Sequence, residues 1–170
     1  MIQTYYGDGK GKTTAAIGSA VRFNGCGHKV LFVQFLKNND SSEINVLKSL
    51  QGVEIICSEE NYKLYDNLNK ECDEVFVKAY NKLLFDTVKK KVNNIKMVVL
   101  DEILDAVQFG YVEETLFLEF LESYKNSVEF ILTGHSITEK IAEISDYVSE
   151  IKEVKHPYAK GALPRKGIEF

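Results

Sequence analysis

Apolar residues recur along this chain with two alternating spacings, one of strands and one of helices. Ile2-Gln3-Thr4-Tyr5-Tyr6 is a short strand-type run, interrupted by glycines between residues 7 and 11. Thr13 to Phe23 reads as a helix that stops at Gly25-Cys26-Gly27. Lys29 to Leu36 is a Val- and Phe-rich strand, Ser41 to Leu50 a short helix with a serine N-cap, and Val53 to Cys57 a third strand. Ser58 to Asn69 is polar and aromatic without a period, which predicts a loop. Glu71 to Val92 places Val75, Ala79, Leu83 and Val88 at helical spacing. Lys96 to Leu100 is a nearly continuous apolar strand ending at Asp101. A helical stretch with Ile103, Leu104 and Val107 follows, then a helix over Glu113 to Tyr124. Val128 to Leu132 predicts a fifth strand, Thr138 to Ile144 a short helix, and Tyr147 to Val154 a sixth, alternating strand.

Strands that alternate with helices predict parallel β-α-β units and a sheet covered on both faces. There is no repeat and no linker, and both prolines, Pro157 and Pro164, lie near the C-terminus. The expectation is one α/β domain over residues 1–170, with 155–170 as a C-terminal extension.

Composition narrows the function. The chain has 170 residues, enough for one domain with a sizeable core. A formal net charge of −4 makes general nucleic-acid binding a poor fit, because that binding relies on Lys and Arg neutralising phosphates. No unbroken apolar run exceeds four residues, far short of the ~20 a membrane helix needs. No basic segment followed by an apolar one opens the chain, so the expected location is the cytoplasm. Cys26, Cys57 and Cys72 have neither disulfide-framework nor zinc spacing; Cys26 and Cys57 read as small buried hydrophobes.

The strongest chemical signal is the run from Gly7 to Thr14, Gly-Asp-Gly-Lys-Gly-Lys-Thr-Thr, between a strand and a helix. Glycines let a backbone curl so that several N–H groups face one anion, and the helix N-terminus adds its dipole. Lys12 supplies a mobile positive charge, and the Thr13 hydroxyl suits a magnesium ion carried on phosphates. The match to G-x-x-x-x-G-K-T is imperfect, since Tyr6 stands where the first glycine is expected. A second signal is Asp101-Glu102 at the end of an apolar strand, where carboxylates of phosphate-loop proteins hold magnesium. The competing reading of the pair is a helix N-cap.

Only two arginines, Arg22 and Arg165, are present, which argues against a kinase with an arginine-lined lid. His28, His135 and His156 are scattered, and no Ser-His-Asp or Cys-His arrangement is evident. A reaction needing no protein nucleophile fits this inventory. A small-molecule kinase and a nucleotide-gated binding protein are the alternatives.

The phosphate loop, the run Val33 to Lys37, the run Val98 to Ile103, Leu132-Thr133-Gly134 and the tail from Val154 to Phe170 together resemble the ATP:corrinoid adenosyltransferases of the phosphate-loop class. The matches are ordered and run from residue 2 to residue 170. The resemblance implies a RecA-like, phosphate-loop NTPase-type α/β fold with an open, mainly parallel, six-stranded sheet. It implies transfer of the 5′-deoxyadenosyl group of ATP to the Co(I) of a corrinoid, with triphosphate released. ATP and a corrinoid are the implied substrates and magnesium the implied ion, with a reduced flavoprotein or similar electron donor and a homodimer.

Residue by residue, the resemblance gives loop shape to Gly7, Gly9 and Gly11, and triphosphate binding to Lys10 and Lys12. It gives magnesium to Thr13 and Glu102, with Asp101 beside them, and makes Lys12, Thr13 and Glu102 the catalytic set. Thr14 is expected to cap the loop–helix junction, and Arg22 to lie near the nucleotide. Asp8 replaces the usual asparagine and stands among the ATP-binding residues, where a carboxylate beside a triphosphate is unfavourable unless it faces ribose hydroxyls. Tyr62 and Tyr65 are nominated for the lower face of the corrin. Two departures stand out. His135 occupies a position where the family often has arginine, and family members carry a covering N-terminal segment ahead of the first strand.

Overall fold

A computed structural model describes residues 1–37, 42–57, 70–155, 157, 161, 163 and 165–168, without the side chains of 70–73. Six strands are described: β1 (Ile2–Tyr6), β2 (Val30–Gln34), β3 (Val53–Ile56), β4 (Met97–Asp101), β5 (Glu129–Gly134) and β6 (Tyr147–Glu150). Six α-helices connect them, two of them between β4 and β5: α1 (Lys12–Gly25), α2 (Ser42–Ser49), α3 (Lys70–Lys91), α4 (Ile103–Gln108), α5 (Glu114–Tyr124) and α6 (Glu139–Ile144). All strand pairs are parallel, in the order β3-β2-β4-β5-β1-β6.

Side-chain alternation along the strands divides the core in two. On one face Leu31, Val33, Val98, Leu100, Phe130 and Leu132 pack with Leu84, Phe85 and Val88 of α3 and Phe117, Phe120 and Leu121 of α5. On the other, Val30, Phe32, Met97, Val99 and Ile131 meet Ala16 and Ala20 of α1 and Ile44 and Leu47 of α2. The two alanines let α1 lie close to the sheet, which fixes the loop that feeds it. Phe85, Phe117, Phe120 and Phe130 meet edge to face. Truncating one of them, such as Phe117, would cost ~3–5 kcal/mol.

The strand order creates the crevice. From β1 the chain crosses through α1 to β2, beyond β5 and β4; from β5 it crosses the other way through α6 to β6. Ligands of open α/β sheets bind at the carboxyl ends of strands beside such a reversal.

Several expectations need correction. β6 ends at Glu150, not Val154, because the next residues leave the ladder to contact the loop after β1. The buried stripe of α3 is Val77, Asn81, Leu84, Phe85 and Val88; Val75 and Leu83 are exposed. Ala79 is exposed as well, so of the four expected positions Val88 alone faces the core, although the segment is helical as expected. Cys26 is exposed in the turn closing α1, while Cys57 is half-buried against the core. Small size suits Cys26 to a turn between Gly25 and Gly27, whose N–H groups bond back to the helix carbonyls. The predicted loop over 58–69, with Tyr62 and Tyr65, lies outside the described residues, as does His156.

Candidate functional site

The loop between β1 and α1 is held by backbone at both ends. Gly7 donates its N–H to the His135 carbonyl at 3.0 Å, and Gly9 donates to the Ile151 carbonyl at 2.8 Å. Ile151 in turn donates to the Tyr6 carbonyl at 2.7 Å. The segment after β6 therefore lies across the loop like a strap. Gly7 has φ +116°, and a Cβ there would stand 2.4 Å from the Ile151 oxygen. A Cβ on Gly9 would stand 2.7 Å from the Lys152 carbonyl. Two of the loop glycines are thus required by the strap as well as by the curl.

The first intrahelical bond of α1 runs from Ala15 N–H to the Gly11 carbonyl at 2.8 Å. The N–H groups of Lys12, Thr13 and Thr14 precede it, so they face the mouth of the loop. Gly11 is the N-cap, and no side chain caps the helix. Thr14 is an exposed first-turn residue, not a cap. Lys12 is buried and its Nζ donates to the Gly9 carbonyl at 2.9 Å. Asp8 Oδ1 accepts the Glu153 N–H at 3.0 Å. That bond, with lesser help from the Asp8 backbone N–H and from Lys12 and Lys152, holds the Asp8 carboxyl below the usual carboxylate range, against slight desolvation.

Opposite Thr13, the end of β4 carries a buried carboxylate. Asp101 is fully buried and accepts from four side chains. Thr13 Oγ1 reaches its Oδ1 at 2.9 Å and Thr133 Oγ1 reaches the same oxygen at 2.7 Å. Gln34 Nε2 reaches Oδ2 at 3.2 Å and Lys37 Nζ reaches it at 2.9 Å. Burial pushes the Asp101 pKa up, but Lys37 and the bonds from Thr133, Lys37 and Gln34 outweigh it, so the carboxyl lies below its ordinary value.

Glu102 follows with φ +60° and its N–H bonded to Thr133 Oγ1 at 2.9 Å. It sits at the N-cap of α4 but makes no capping hydrogen bond, so the helix-cap reading does not hold. Its Oε1 lies 2.9 Å from Lys37 Nζ. Burial raises its pKa; Lys37 opposes that and neighbouring Asp101 reinforces it. Burial works to lower the Lys37 pKa, but Asp101 and Glu102 hold it well above the ordinary lysine value.

Thr13, Asp101 and Glu102 form an oxygen-only donor set of the kind magnesium takes. Two observations favour a cation there. The Lys37 ammonium already sits among these oxygens as a stand-in. The buried Gln34 Oε1, on the side chain that bonds Asp101, finds no partner among the described residues. A neighbouring group, Glu102, Asp105 and His135, has ligand atoms within 4.8 Å of one another. There the Asp105 carboxylate is already engaged by the His135 N–H, at 3.2 and 3.0 Å.

The structure thus brings Gly7, Asp8, Gly9, Lys10, Gly11, Lys12, Thr13 and Thr14 into one loop–helix junction facing Asp101 and Glu102. It does not bring Arg22 there. Arg22 is exposed in the last turn of α1, ~15 Å along the axis from Lys12. Lys37, Thr133, Gln34 and the strap were not nominated from sequence. Gln34 ends β2 and Lys37 follows it, but their convergence on Asp101 depends on β2 pairing β4.

The family description "ATP:corrinoid adenosyltransferase BtuR/CobO/CobP" matches residues 1–170. A corrinoid adenosyltransferase of Escherichia coli (strain K12) is 34% identical over 176 residues, covering 100% of this chain and 85% of that protein. The corrinoid adenosyltransferase CobA of Salmonella typhimurium (strain LT2) is 31% identical, with 100% and 85% covered. The KaiC-like protein PH0186 of Pyrococcus horikoshii OT3 superposes with a TM-score of 0.52 at 19% identity, covering 99% of this chain and 74% of that one. That likeness concerns the fold alone. Together with the loop and carboxylate geometry, the match over the whole length shows that this chain belongs to the BtuR/CobO/CobP family of ATP:corrinoid adenosyltransferases.

Proposed function

We propose that the chain transfers the 5′-deoxyadenosyl group of ATP to the Co(I) of a corrinoid, in adenosylcobalamin biosynthesis or salvage. The cobalt electron pair attacks C5′ of the ribose, the cobalt–carbon bond forms, and the C5′–oxygen bond breaks. Triphosphate leaves with that bonding pair. The observation that carries this reading is the pairing of a strapped, lysine-bearing loop with the Thr13–Asp101–Glu102 oxygens in a chain matched from end to end. No protein nucleophile is needed, because the corrinoid supplies it. The protein's share is orientation and electrostatics.

Lys12 and Lys10 take the triphosphate, and the N–H groups opening α1 add to them. Magnesium, held by Thr13, Glu102 and Asp101, would neutralise charge on the leaving triphosphate. Arg22 serves the nucleotide only if ATP or a second subunit reaches the far end of α1. Tyr62 and Tyr65, outside the described residues, are assigned to the lower face of the corrin by resemblance. The working protein is a cytoplasmic homodimer supplied by a reduced flavoprotein or similar donor, in one domain over 1–170. No helix among the described residues is long and apolar enough to cross a membrane.

The deciding experiment is an anaerobic assay with ATP, corrinoid and reductant that follows the Co(I) spectrum and the phosphate products. The reading expects loss of Co(I) with one triphosphate released per adenosylated corrinoid. ADP as the product, or binding without turnover, overturns it.

A further inference from the structure

Lys37 supports an inference that rests on reading Thr13, Asp101 and Glu102 as magnesium ligands. Its Nζ lies 3.0 Å from Thr13 Oγ1, 2.9 Å from Asp101 Oδ2 and 2.9 Å from Glu102 Oε1. An ammonium has three donors and no acceptor. Here all three are matched by oxygens from separate elements: the start of α1, the end of β4 and the turn into α4. These are the same three residues that would ligate the metal. Magnesium sits ~2.1 Å from its oxygens, so it and the ammonium cannot occupy this pocket together.

We propose that Lys37 is the resident counter-cation of this pocket, closing it to free divalent metal and vacating it when the metal arrives on a triphosphate. The charges favour such an exchange. Asp101 and Glu102 are two carboxylates, and one ammonium balances only one of them. A divalent cation balances both, while the triphosphate entering with it offers new anionic oxygens to the displaced lysine. The mobility of the partners also fits. Asp101 is fully buried and fixed by three donors besides Lys37, whereas the Lys37 side chain is 30% exposed on a flexible stem. The turn that delivers it is held in place: Leu36 has φ +53°, and its N–H is bonded to the buried Asn81 Oδ1 at 3.3 Å. The lysine head can therefore move while its backbone stays. Metal and triphosphate then enter as one unit.

The test uses Mn2+ as a spectroscopic probe of the nucleotide-free protein, by electron paramagnetic resonance. Lys37→Met and Lys37→Gln should bind free Mn2+ at least about tenfold more tightly than the wild type, since a like charge within contact distance is removed. Adding Glu102→Gln to either variant should abolish the gain. Thermal melting gives a second readout: Mn2+ should raise the midpoint of Lys37→Met more than that of the wild type. A Lys37→Met chain that folds only with Mn2+ also supports the proposal, and one that Mn2+ does not rescue counts against it. If neither variant binds free Mn2+ more tightly, yet Glu102→Gln still weakens Mn2+·ATP binding, the counter-cation role is overturned and the metal ligands stand. If Glu102→Gln leaves Mn2+·ATP binding unchanged, the metal assignment falls and the inference falls with it.

Discussion

Asp8 accepts the backbone N–H of Glu153 through its Oδ1 at 3.0 Å, joining the phosphate loop to the strap 145 residues later in the chain. This gives Asp8 a tethering role through that oxygen. The tether itself needs only an acceptor oxygen facing the strap. An asparagine side-chain oxygen would serve equally well.

The prediction is that Asp8→Asn keeps near-normal kinetics, whereas Asp8→Ala loosens the strap and raises the KM for ATP by about two- to tenfold, the usual worth of one hydrogen bond. Steady-state kinetics of the pair checks it. Equal losses in both variants would mean that the charge, not the tether, matters.

Lys12 is buried against its own loop, with Nζ on the Gly9 carbonyl. That bond holds the ammonium within the loop, so it is preorganised there. Lys12→Ala should lower kcat/KM by ~10²-fold or more, the scale set by loss of one preorganised electrostatic group. Unchanged turnover would remove Lys12 from the mechanism.

The adjacent carboxylates should respond oppositely to pH and to substitution. Asp101 has a depressed pKa, so its stabilisation is present above the ordinary carboxylate range and is lost as pH falls through the lower, folded value. Glu102 has a raised pKa, so ionising it costs stability as pH rises above 4.5 toward its folded value. Asp101→Asn should therefore lower the melting temperature at neutral pH. Glu102→Gln should leave it unchanged or higher, while raising the magnesium concentration needed for half-maximal activity. Melting curves between pH 4 and 8, beside magnesium titrations, read both effects. A Glu102→Gln protein that melts lower at normal magnesium dependence would restore the structural reading of this residue.

How much of this was legible in the sequence follows from how local each feature is. The phosphate loop and Asp101-Glu102 are contiguous runs whose chemistry shows in the residues themselves. The parallel sheet was legible because strand and helix spacings alternate. Lys37 and Thr133 are plain in the sequence, yet their role needs the ends of β2, β4 and β5 side by side, and that order is not a local property. The strap was read as strand because Tyr147 to Val154 alternates. The sheet edge allowed that pattern, but Gly9 and Asp8 take the Ile151 carbonyl and Glu153 N–H that a longer strand would need free. The phase of α3 was misread because Val75 and Leu83 are apolar but exposed, and Asn81 is polar but buried.

Thr133 ties the two carboxylates to each other. Its Oγ1 donates to Asp101 Oδ1 at 2.7 Å and accepts the Glu102 N–H at 2.9 Å. It is fully buried on β5, one strand away from both. The accepted N–H helps to hold Glu102 at φ +60°, a conformation that L residues enter only at a cost. Thr133→Val keeps the shape but leaves a part-buried N–H without its acceptor and a buried carboxylate short of one donor. The loss should be ~1–3 kcal/mol of stability. It should also raise the magnesium requirement, since Glu102 would be free to leave its pose. Thr133→Ser keeps the hydroxyl and should restore the metal dependence even if the missing methyl lowers stability slightly. A valine variant that melts lower but keeps its normal magnesium titration would confine Thr133 to the core, and Glu102 would then have to be held by Lys37 alone.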